Sequence, residues 1–166
     1  MNETSGPLPH SRRARTALAL ARALVADRGD ADITPVHVAL GILREERNAA
    51  VAALQHVGAP FGSLVAELER ELGPPGGPPR PGGADVPPGA GEGRVLEWAS
   101  AASRRVGDEH IGPEHLLLGI LGGEQNAAAR VFWRHGIDAD AVADALRAVI
   151  HRHDSPPGPG ASNGAG

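Results

Sequence analysis

Apolar residues recur at every third or fourth position along most of this chain, which is the spacing that places them on one face of an α-helix. In a first predicted helix, Ala14, Leu18, Ala21 and Val25 share such a face. The period is helical between all the breaks in the pattern, so the sequence predicts a protein built from helices. In the second half of the chain, the corresponding inner face is predicted to consist of Val95, Ala99, Ala102 and Val106.

The chain carries an internal repeat with an offset of 78 residues. ITPVHVALGIL, from Ile33 to Leu43, aligns with IGPEHLLLGIL, from Ile111 to Leu121, and the match continues without a gap to Gly58. The alignment has twelve identities in 26 positions, where a chance register gives roughly two or three. The pattern therefore indicates a duplicated structural unit.

The second helix of each copy has a capping signal at its start and a glycine in its interior. Thr34-Pro35 and Gly112-Pro113 each supply a cap residue followed by proline at the first helical position, where the missing N–H costs nothing. Gly41 and Gly119 then lie inside these helices, which costs about 1 kcal/mol relative to alanine. We expect another helix to cross each glycine at close range.

The third and fourth helices are bounded in the same way in both copies. Asn48 and Asn126 are good caps for third helices, and Gly58 and Gly136 are the expected left-handed stop residues. The inner faces of the fourth helices are predicted to be Leu64, Val65, Leu68 and Leu72 in the first copy and Val142, Ala143, Leu146 and Ile150 in the second.

Four helices per copy give eight in all, and one copy of about 60 ordered residues would be marginal alone. The sequence thus predicts an all-α fold of two tandem four-helix repeats packed about a pseudo-twofold axis. Between residues 73 and 91, fourteen of nineteen residues are Gly or Pro, which cannot sustain a helix. The predicted divisions are a flexible N-terminus (1–9), repeat 1 (10–73), a Pro/Gly-rich linker (74–91), repeat 2 (92–153) and a disordered tail (154–166).

Composition narrows the classes of function. The formal net charge is -4, and the absence of a basic stripe with interleaved aromatic residues disfavours nucleic-acid binding. The chain has no cysteine, so disulfides and thiolate metal sites are excluded. The N-terminus lacks the apolar core of a signal peptide, and the apolar runs are too short to cross a bilayer. A cytoplasmic protein without a membrane partner is expected.

The repeat resembles a known family. IGPEHLLLGILGGEQNAAARVF, ITPVHVALGILREERNAAVAAL and SRRARTAL are similar to the amino-terminal double-repeat domain of the Clp (Hsp100) AAA+ unfoldases, especially the ClpC and ClpA type, over residues 10–73 and 92–152. The resemblance implies an all-α domain that recruits substrates and adaptor proteins to an unfoldase ring. It implies phosphoarginine recognition in some members, and related actinobacterial domains are targets of cyclic-peptide antibiotics.

The ATPase modules of such an unfoldase have no counterpart in the sequence. All sixteen cationic residues are arginine, and without lysine the chain cannot contain the phosphate loop G-x-x-x-x-G-K-[ST]. The sequence therefore looks like a stand-alone recruitment domain without its motor.

The resemblance also implies candidate binding residues. Glu114 matches the glutamate of the family's T-E-H motif, which grips a guanidinium group, whereas the first copy has Val36 there. A threonine near the start of the family's first helix supplies a hydroxyl for the phosphate; Ser11 retains the hydroxyl, and Gly89 in the second copy does not. The phenylalanine that often precedes this threonine is His10 here. Each copy thus keeps part of the phosphoarginine equipment and lacks the rest.

A purely capping role for Glu114 stays open. The residue lies at the second position of its helix, where a carboxylate gains from unpaired N–H groups and the helix dipole. The candidate residues for peptide binding are therefore His10, Ser11, Val36 and Glu114, with capping as the alternative explanation of Glu114.

Two histidines, His37 and His115, occupy matching positions of the two copies. A histidine pair is compatible with metal binding or acid–base catalysis. No carboxylate is found at ligand spacing beside both, so structural histidines bonded to neighbouring backbone are favoured. His110, His151 and His153 could form an accidental metal site at the surface.

The sequence predicts a non-enzymatic module, without cofactor or metal, that binds Clp ring components, adaptors or degron-bearing peptides. It could act as an adaptor, a competitor or a sponge for cyclic peptides. One alternative is a small metal-dependent hydrolase using surface histidines, although neither H-E-x-x-H nor G-x-S-x-G occurs. Another is a transcriptional regulator, which would need a basic helix face.

Overall fold

Eight α-helices make up the part of the chain that the structure describes. This computed structural model describes residues 6–81 and 86–154, without the side chains after Ile150. No strand occurs in these two ranges, where His10 and Ile111 form one isolated parallel bridge. The predicted all-α class and number of helices are confirmed. The helices are α1 (Arg12–Arg28), α2 (Pro35–Arg44), α3 (Ala49–His56), α4 (Phe61–Leu72), α5 (Ala90–Val106), α6 (Pro113–Gly122), α7 (Ala127–Arg134) and α8 (Ala139–Asp154).

The two copies are in register along all four helices. Each helix from α1 to α4 begins 78 residues before its counterpart among α5 to α8. The duplication therefore extends beyond the stretch where the sequences match closely. Parts of three predicted segments lie outside the described residues, namely 1–5 of the N-terminus, 82–85 of the linker and 155–166 of the tail.

Local sequence fixes the ends of the third helices as predicted. The Asn48 side chain accepts a hydrogen bond from Val51 N at 2.9 Å, and Asn126 makes the matching bond in the second copy, also at 2.9 Å. Gly58 and Gly136 both have a φ of 72°, a left-handed conformation that glycine adopts without the steric cost of a Cβ. Each third helix thus begins at its asparagine and ends before its glycine.

The third and fourth helices of each copy pack against the fourth and third helices of the other copy. α3 packs against α8, and α4 packs against α7, whereas α3 and α4 do not pack against each other. α2 and α6 lie between the copies and contact helices of both. The buried aliphatic side chains of both copies form one continuous cluster. The two repeats therefore share a single core, as the predicted pseudo-twofold packing requires.

Gly41 and Gly119 lie where two helices cross at close range, as predicted. A Cβ on Gly41 in α2 would lie 2.3 Å from the carbonyl oxygen of Ala17 in α1. A Cβ on Gly119 in α6 would lie 2.7 Å from the backbone nitrogen of Ala99 in α5. Both distances are far below van der Waals contact, so the observed crossings require glycine. The close packing of α1 on α2 and of α5 on α6 offsets the low helix propensity.

Two predicted inner faces are wrong at their C-terminal ends. Val106 in the last turn of α5 and Ile150 in α8 are each 57% exposed. In α5 the core position belongs to Ser103, which is fully buried and donates a hydrogen bond to the carbonyl oxygen of His110 at 2.7 Å. A buried hydroxyl with a backbone partner is stable in a core, but a pattern of apolar residues cannot reveal it.

The first part of the predicted linker lies against the C-terminal end of α1. Gly77 N donates to the carbonyl oxygen of Arg28 at 3.3 Å, and Arg80 N donates to that of Ala26 at 2.9 Å. These bonds attach residues 76–80 to the first repeat.

No single described helix has both the length and the apolar character needed to cross a membrane. Only α3 and α4 taken together meet the requirement, and these two helices are bent by 118° to each other. Both bury apolar residues in the core of the fold.

Candidate functional site

The candidate site lies where the start of α1 meets the start of α6, so both copies contribute to it. Ser11 N donates to the carbonyl oxygen of Ile111 at 2.8 Å, and Ile111 N donates to that of Pro9 at 2.8 Å. These two bonds hold the segment before α1 against the turn before α6. As a result, Ser11 of the first copy and Glu114 of the second line one cavity of about 730 Å³.

Ser11 is the N-cap of α1. Its backbone is extended, with φ -61° and ψ 159°, and its Oγ accepts a hydrogen bond from Ala14 N at 3.1 Å. The backbone N–H groups of the first turn have no acceptor within the helix and form the positive end of its dipole. A half-buried hydroxyl beside these groups suits an anionic ligand group.

Glu114, at the second position of α6, holds its carboxylate over the backbone of Gly112. A Cβ on Gly112 would lie 2.2 Å from Glu114 Oε1, so glycine is needed for this side-chain position. The Glu114 side chain is 20% exposed and lines the cavity. It can therefore stabilise the start of α6 and contact a ligand at the same time.

Charged side chains of both signs line the cavity. Arg13 pairs with Glu45 at 2.8 Å, whereas Arg12 and Arg47 have no carboxylate within 4 Å among the described residues. Cationic and anionic groups around one space suit a ligand that carries both charges. The charged residues of the cavity are Arg12, Arg13, Glu46, Arg47 and Glu114.

A second cavity of about 510 Å³ adjoins this site between α5, α6 and α8. Ala49, Glu114 and Ile150 line both cavities. The second cavity is also lined by Val106 and the half-buried Leu118, together with charged side chains of α5, α8 and the turn after α5. Val106 and Ile150, the two apolar side chains that were wrongly predicted to lie on inner faces, thus line this second cavity. An extended ligand that reaches Glu114 has space for apolar neighbours.

The copy-related position, where the start of α5 meets the start of α2, lacks both functional groups. Gly89 caps α5 in place of Ser11. Val36 takes the place of Glu114 and is only 4% exposed, within the common core. Each copy keeps one group and lacks the other, as the alignment indicated. Each position, however, is built from both copies. The two retained groups, on Ser11 and Glu114, therefore lie at one position, and Gly89 and Val36, which lack these groups, lie at the other.

Asp32 fills the second position with a carboxylate of the protein itself. Its Oδ1 accepts a hydrogen bond from Ile33 N at 2.7 Å, and its Oδ2 accepts one from Gly91 N, in the first turn of α5, at 3.2 Å. A Cβ on Gly89 would lie 1.7 Å from Asp32 Oδ1, so a serine there requires the Asp32 carboxylate to move. The start of α5 is therefore already occupied by an anionic group.

His10 lies beside the site rather than in it. It bridges to Ile111 and lines a different cavity, of about 400 Å³. Of the four residues predicted from the sequence, the structure brings together Ser11 and Glu114. It places His10 in the neighbouring cavity and Val36 in the core.

The two matching histidines are bonded on both ring nitrogens. His37 Nδ1 accepts a hydrogen bond from Thr34 N at 3.0 Å, and its Nε2 lies 2.9 Å from Asp30 Oδ2. His115 has the same arrangement, with its Nε2 2.9 Å from Asp108 Oδ2. The expectation of bonding to nearby backbone agrees with this geometry. The expectation that no carboxylate accompanies both was wrong, because the chain reversal before α2 and α6 brings an aspartate back from seven residues upstream.

Burial and hydrogen bonding together set the ionisation of His37 and Asp30. Burial lowers the pKa of His37, although the hydrogen bond and charge of Asp30 raise it. Burial raises the pKa of Asp30, but hydrogen bonds from His37, Arg28 and Gly76 outweigh it, so the pKa lies below its ordinary value. A neutral imidazole held by a carboxylate is thus the favoured form, and it joins the start of α2 to the end of α1.

No group of three His, Asp or Glu side chains in the described ranges has the geometry to hold a metal ion. The rings of His110 and His115 lie 5.9 Å apart, edge to face, but both ring nitrogens of His115 are already engaged. The side chains of His151 and His153, which the sequence grouped with His110, lie outside the described residues. The metal-dependent hydrolase has no assembled centre in this part of the chain.

Three residues of these positions were not identified from the sequence, namely Arg12, Asp32 and Arg47. The repeat alignment pairs Asp32 with His110, and this difference could have drawn attention to the second position. Nothing in the sequence indicates that the turn before α3 faces the start of α1, so Arg47 could not have been found.

Comparison with known proteins places the chain among the Clp proteins. The family model of the Clp repeat (R) N-terminal domain matches residues 10–135. The chaperone protein ClpB of Oceanobacillus iheyensis is 27% identical over 146 residues, which are 88% of this chain and 18% of that protein. The negative regulator of genetic competence ClpC/MecB of Bacillus subtilis is 27% identical over 143 residues, 86% of this chain and 17% of that protein. The chain thus spans less than a fifth of the length of these relatives.

Solved structures share the fold. The Hsp104 N-terminal domain from Candida albicans has a TM-score of 0.64 at 18% identity and covers 89% of this chain and 93% of its own. The N-terminal domain of the chaperone ClpD from Arabidopsis thaliana has a TM-score of 0.63 at 20% identity and covers 85% and 96%. With the family model matching most of the residues and the fold agreeing, this chain belongs to the Clp repeat N-terminal domain family.

Proposed function

We propose that this chain is a non-enzymatic docking module that binds a phosphoarginine side chain of a peptide or partner protein in the Ser11–Glu114 cavity. The observation that carries the proposal is the meeting of these two residues from different copies in one space. The Glu114 carboxylate can accept two hydrogen bonds from a guanidinium group. The Ser11 hydroxyl and the first N–H groups of α1 can bind the attached phosphoryl group.

The surroundings of the cavity support a peptide as the carrier of this group. The second cavity adjoins the first beyond Glu114. The charged residues Arg105, Asp108 and Arg147 line part of it, and its apolar lining includes Val106, Leu118 and Ile150. Apolar side chains next to the arginine can cover these residues and gain about 25 cal/mol per Å² of buried surface. The site thus favours an extended segment with one charged anchor and apolar neighbours.

In the cell, such a module would take part in recruitment for Clp-dependent proteolysis. The proposed partners are Clp unfoldase or protease components, adaptors and degron-bearing peptides in the cytoplasm. Membership of the Clp repeat family supports this class of partner. By holding the same ligands as a Clp ring, the chain would act as an adaptor or a competitor, or it would sequester cyclic peptides.

Isothermal titration calorimetry with a synthetic phosphoarginine peptide tests the proposal. We expect one site per chain, because Asp32 already fills the copy-related position. Glu114→Gln should weaken binding at least about tenfold, since hydrogen bonds to a charged group contribute roughly 1.5–3 kcal/mol. Ser11→Asp keeps a good helix cap but places a negative charge against the phosphoryl group, so it should weaken binding similarly.

The matched control is Glu109→Gln, which makes the same charge change at an exposed residue outside both cavities. It should bind like the wild type. An unmeasurable affinity of the wild type, or equal affinities for Glu114→Gln and Glu109→Gln, would overturn the proposal. Two sites per chain would contradict the closed second position.

A further inference from the structure

We infer that Arg12 and Arg47 form a cationic clamp that makes the cavity select a phosphorylated guanidinium over an unmodified arginine. This inference rests on the proposed function and adds two residues that neither the repeat nor the family resemblance singled out. Arg12 is the first residue of α1, and Arg47 lies in the turn between α2 and α3. Both line the same cavity as Ser11 and Glu114.

The charge balance of the cavity gives these arginines their effect. Glu46 and Glu114 line the cavity with negative charge, and Arg13 is neutralised by Glu45 at 2.8 Å. Without further cations, this balance would attract a bare guanidinium. Arg12 and Arg47, which have no carboxylate within 4 Å among the described residues, cancel these two negative charges. They repel a singly charged cation and attract a group that also carries a phosphoryl charge.

The turn that carries Arg47 is held in place by buried bonds. Asn48, the next residue, is 7% exposed, and its Nδ2 donates to the carbonyl oxygen of Ile42 at 3.0 Å and to Glu45 Oε2 at 2.8 Å. Glu46 adopts a φ of 55°, a left-handed conformation that non-glycine residues adopt rarely. Arg47 therefore projects from a defined turn, and its guanidinium can bind phosphate oxygens in bidentate fashion.

The copy-related position has neither cation. The repeat alignment pairs Arg12 with Ala90 and Arg47 with Gln125. The position that retains the hydroxyl and the carboxylate is thus also the one with two additional arginines. The position that lacks them is closed by Asp32.

The test compares one fluorescent peptide in two forms, with arginine and with phosphoarginine, by fluorescence anisotropy on the full chain. The wild type should bind the phosphorylated form at least about tenfold more tightly, which corresponds to 1.4 kcal/mol. Arg12→Gln and Arg47→Gln should each reduce this ratio several-fold, and the double variant should reduce it further, to the part that Ser11 and the first N–H groups of α1 supply. Arg44→Gln is the control, since Arg44 ends α2, pairs with Glu69 at 3.6 Å and lies outside the cavity.

The outcomes separate the inference from the proposed function. A ratio that stays at the wild-type value in the double variant overturns the clamp, even where Glu114→Gln still weakens binding of both peptides. A reduced preference without loss of arginine binding supports it. If Glu114→Gln weakens neither peptide, the proposed site itself is wrong. Circular dichroism of the exposed Arg→Gln variants should match the wild type, which excludes unfolding as the cause.

Discussion

The starts of α1 and α5 are equivalent in the repeat alignment, and yet different side chains surround them. At the start of α1, Ser11 faces Glu114 across an open cavity. At the start of α5, Gly89 faces the Asp32 carboxylate, and Val36 is buried in the core. Because each position takes one group from each copy, a change in either copy alters the chemistry of one whole position. The two positions therefore differ through the contact between the copies, and neither copy alone contains both groups of a position.

A second difference between these helix starts concerns a buried charge. Glu92 in the first turn of α5 is fully buried, whereas the copy-related residue in α1 is the buried Ala14. Arg22 of α1 donates to both carboxylate oxygens of Glu92, at 3.2 and 2.5 Å. This ion pair joins the first helices of the two copies. It has no copy-related equivalent, because Ala14 takes the place of Glu92 in α1.

The largest expected effect comes from breaking this pair. Arg22→Ala leaves the Glu92 carboxylate buried without a partner, which should lower the free energy of unfolding by about 3 kcal/mol in a urea titration. The double variant Arg22→Ala/Glu92→Ala should recover most of the loss, because Ala14 shows that the copy-related position accepts alanine. A loss below about 1 kcal/mol in the single variant would mean that water reaches Glu92.

An intermediate effect is expected when the closed position is made to resemble the open one. Gly89→Ser brings a Cβ against Asp32 Oδ1, so it should destabilise the fold by about 1–2 kcal/mol. In an Asp32→His background, which copies His110, the same substitution should cost less, since the obstructing carboxylate is gone. Thermal unfolding of the wild type, the two single variants and the double variant measures the coupling. Identical costs in both backgrounds would show that Asp32 does not close the position.

The smallest effect concerns pH and the pair of Asp30 and His37. Because burial lowers the pKa of His37 in the folded state, the unfolded chain takes up the proton first, at about pH 6.5. The contribution of this residue is therefore fully present above about pH 6.5 and is lost as the pH falls below it. The lowered pKa of Asp30 adds a further loss below about pH 4.

Urea titrations from pH 7 to pH 5 should show a shallower decline for His37→Gln than for the wild type. His56→Gln, at an exposed histidine in α3, provides the control. If the slopes of the wild type and His37→Gln agree, the imidazole is not the group that titrates.

The helices and their ends could be predicted because their causes are local. An asparagine cap such as Asn48 and a stop residue such as Gly58 act within one helical turn. Gly41 has a low helix propensity, so its presence inside a helix indicates that another helix crosses there. The prediction of the inner face of α5 is wrong after Ala99. Ser103 is buried there with a hydrogen bond to the backbone, and the spacing of apolar residues cannot predict a buried serine.

The candidate site could be predicted only in part. Glu114 and Ser11 were found through the family resemblance, but their meeting depends on backbone bonds between the two copies. A linear alignment treats both copies alike, so it cannot show that Ser11 faces Glu114 and not Val36. Arg47 reaches the cavity through a tertiary contact of the turn before α3, which has no signature in the sequence.

The packing of α3 on α8 and of α4 on α7 has a consequence for folding on the ribosome. The partner of Glu67 in α4 is Arg134 in α7, 67 residues further along the chain, and α3 depends on α8, which comes later still. The first half of the nascent chain therefore exposes the apolar surfaces of α3 and α4 that the second half covers, until α7 and α8 have been translated. Such long-range closure slows folding and exposes the nascent chain to aggregation, so a nascent chain stalled before α8 should be the form that holdase chaperones capture.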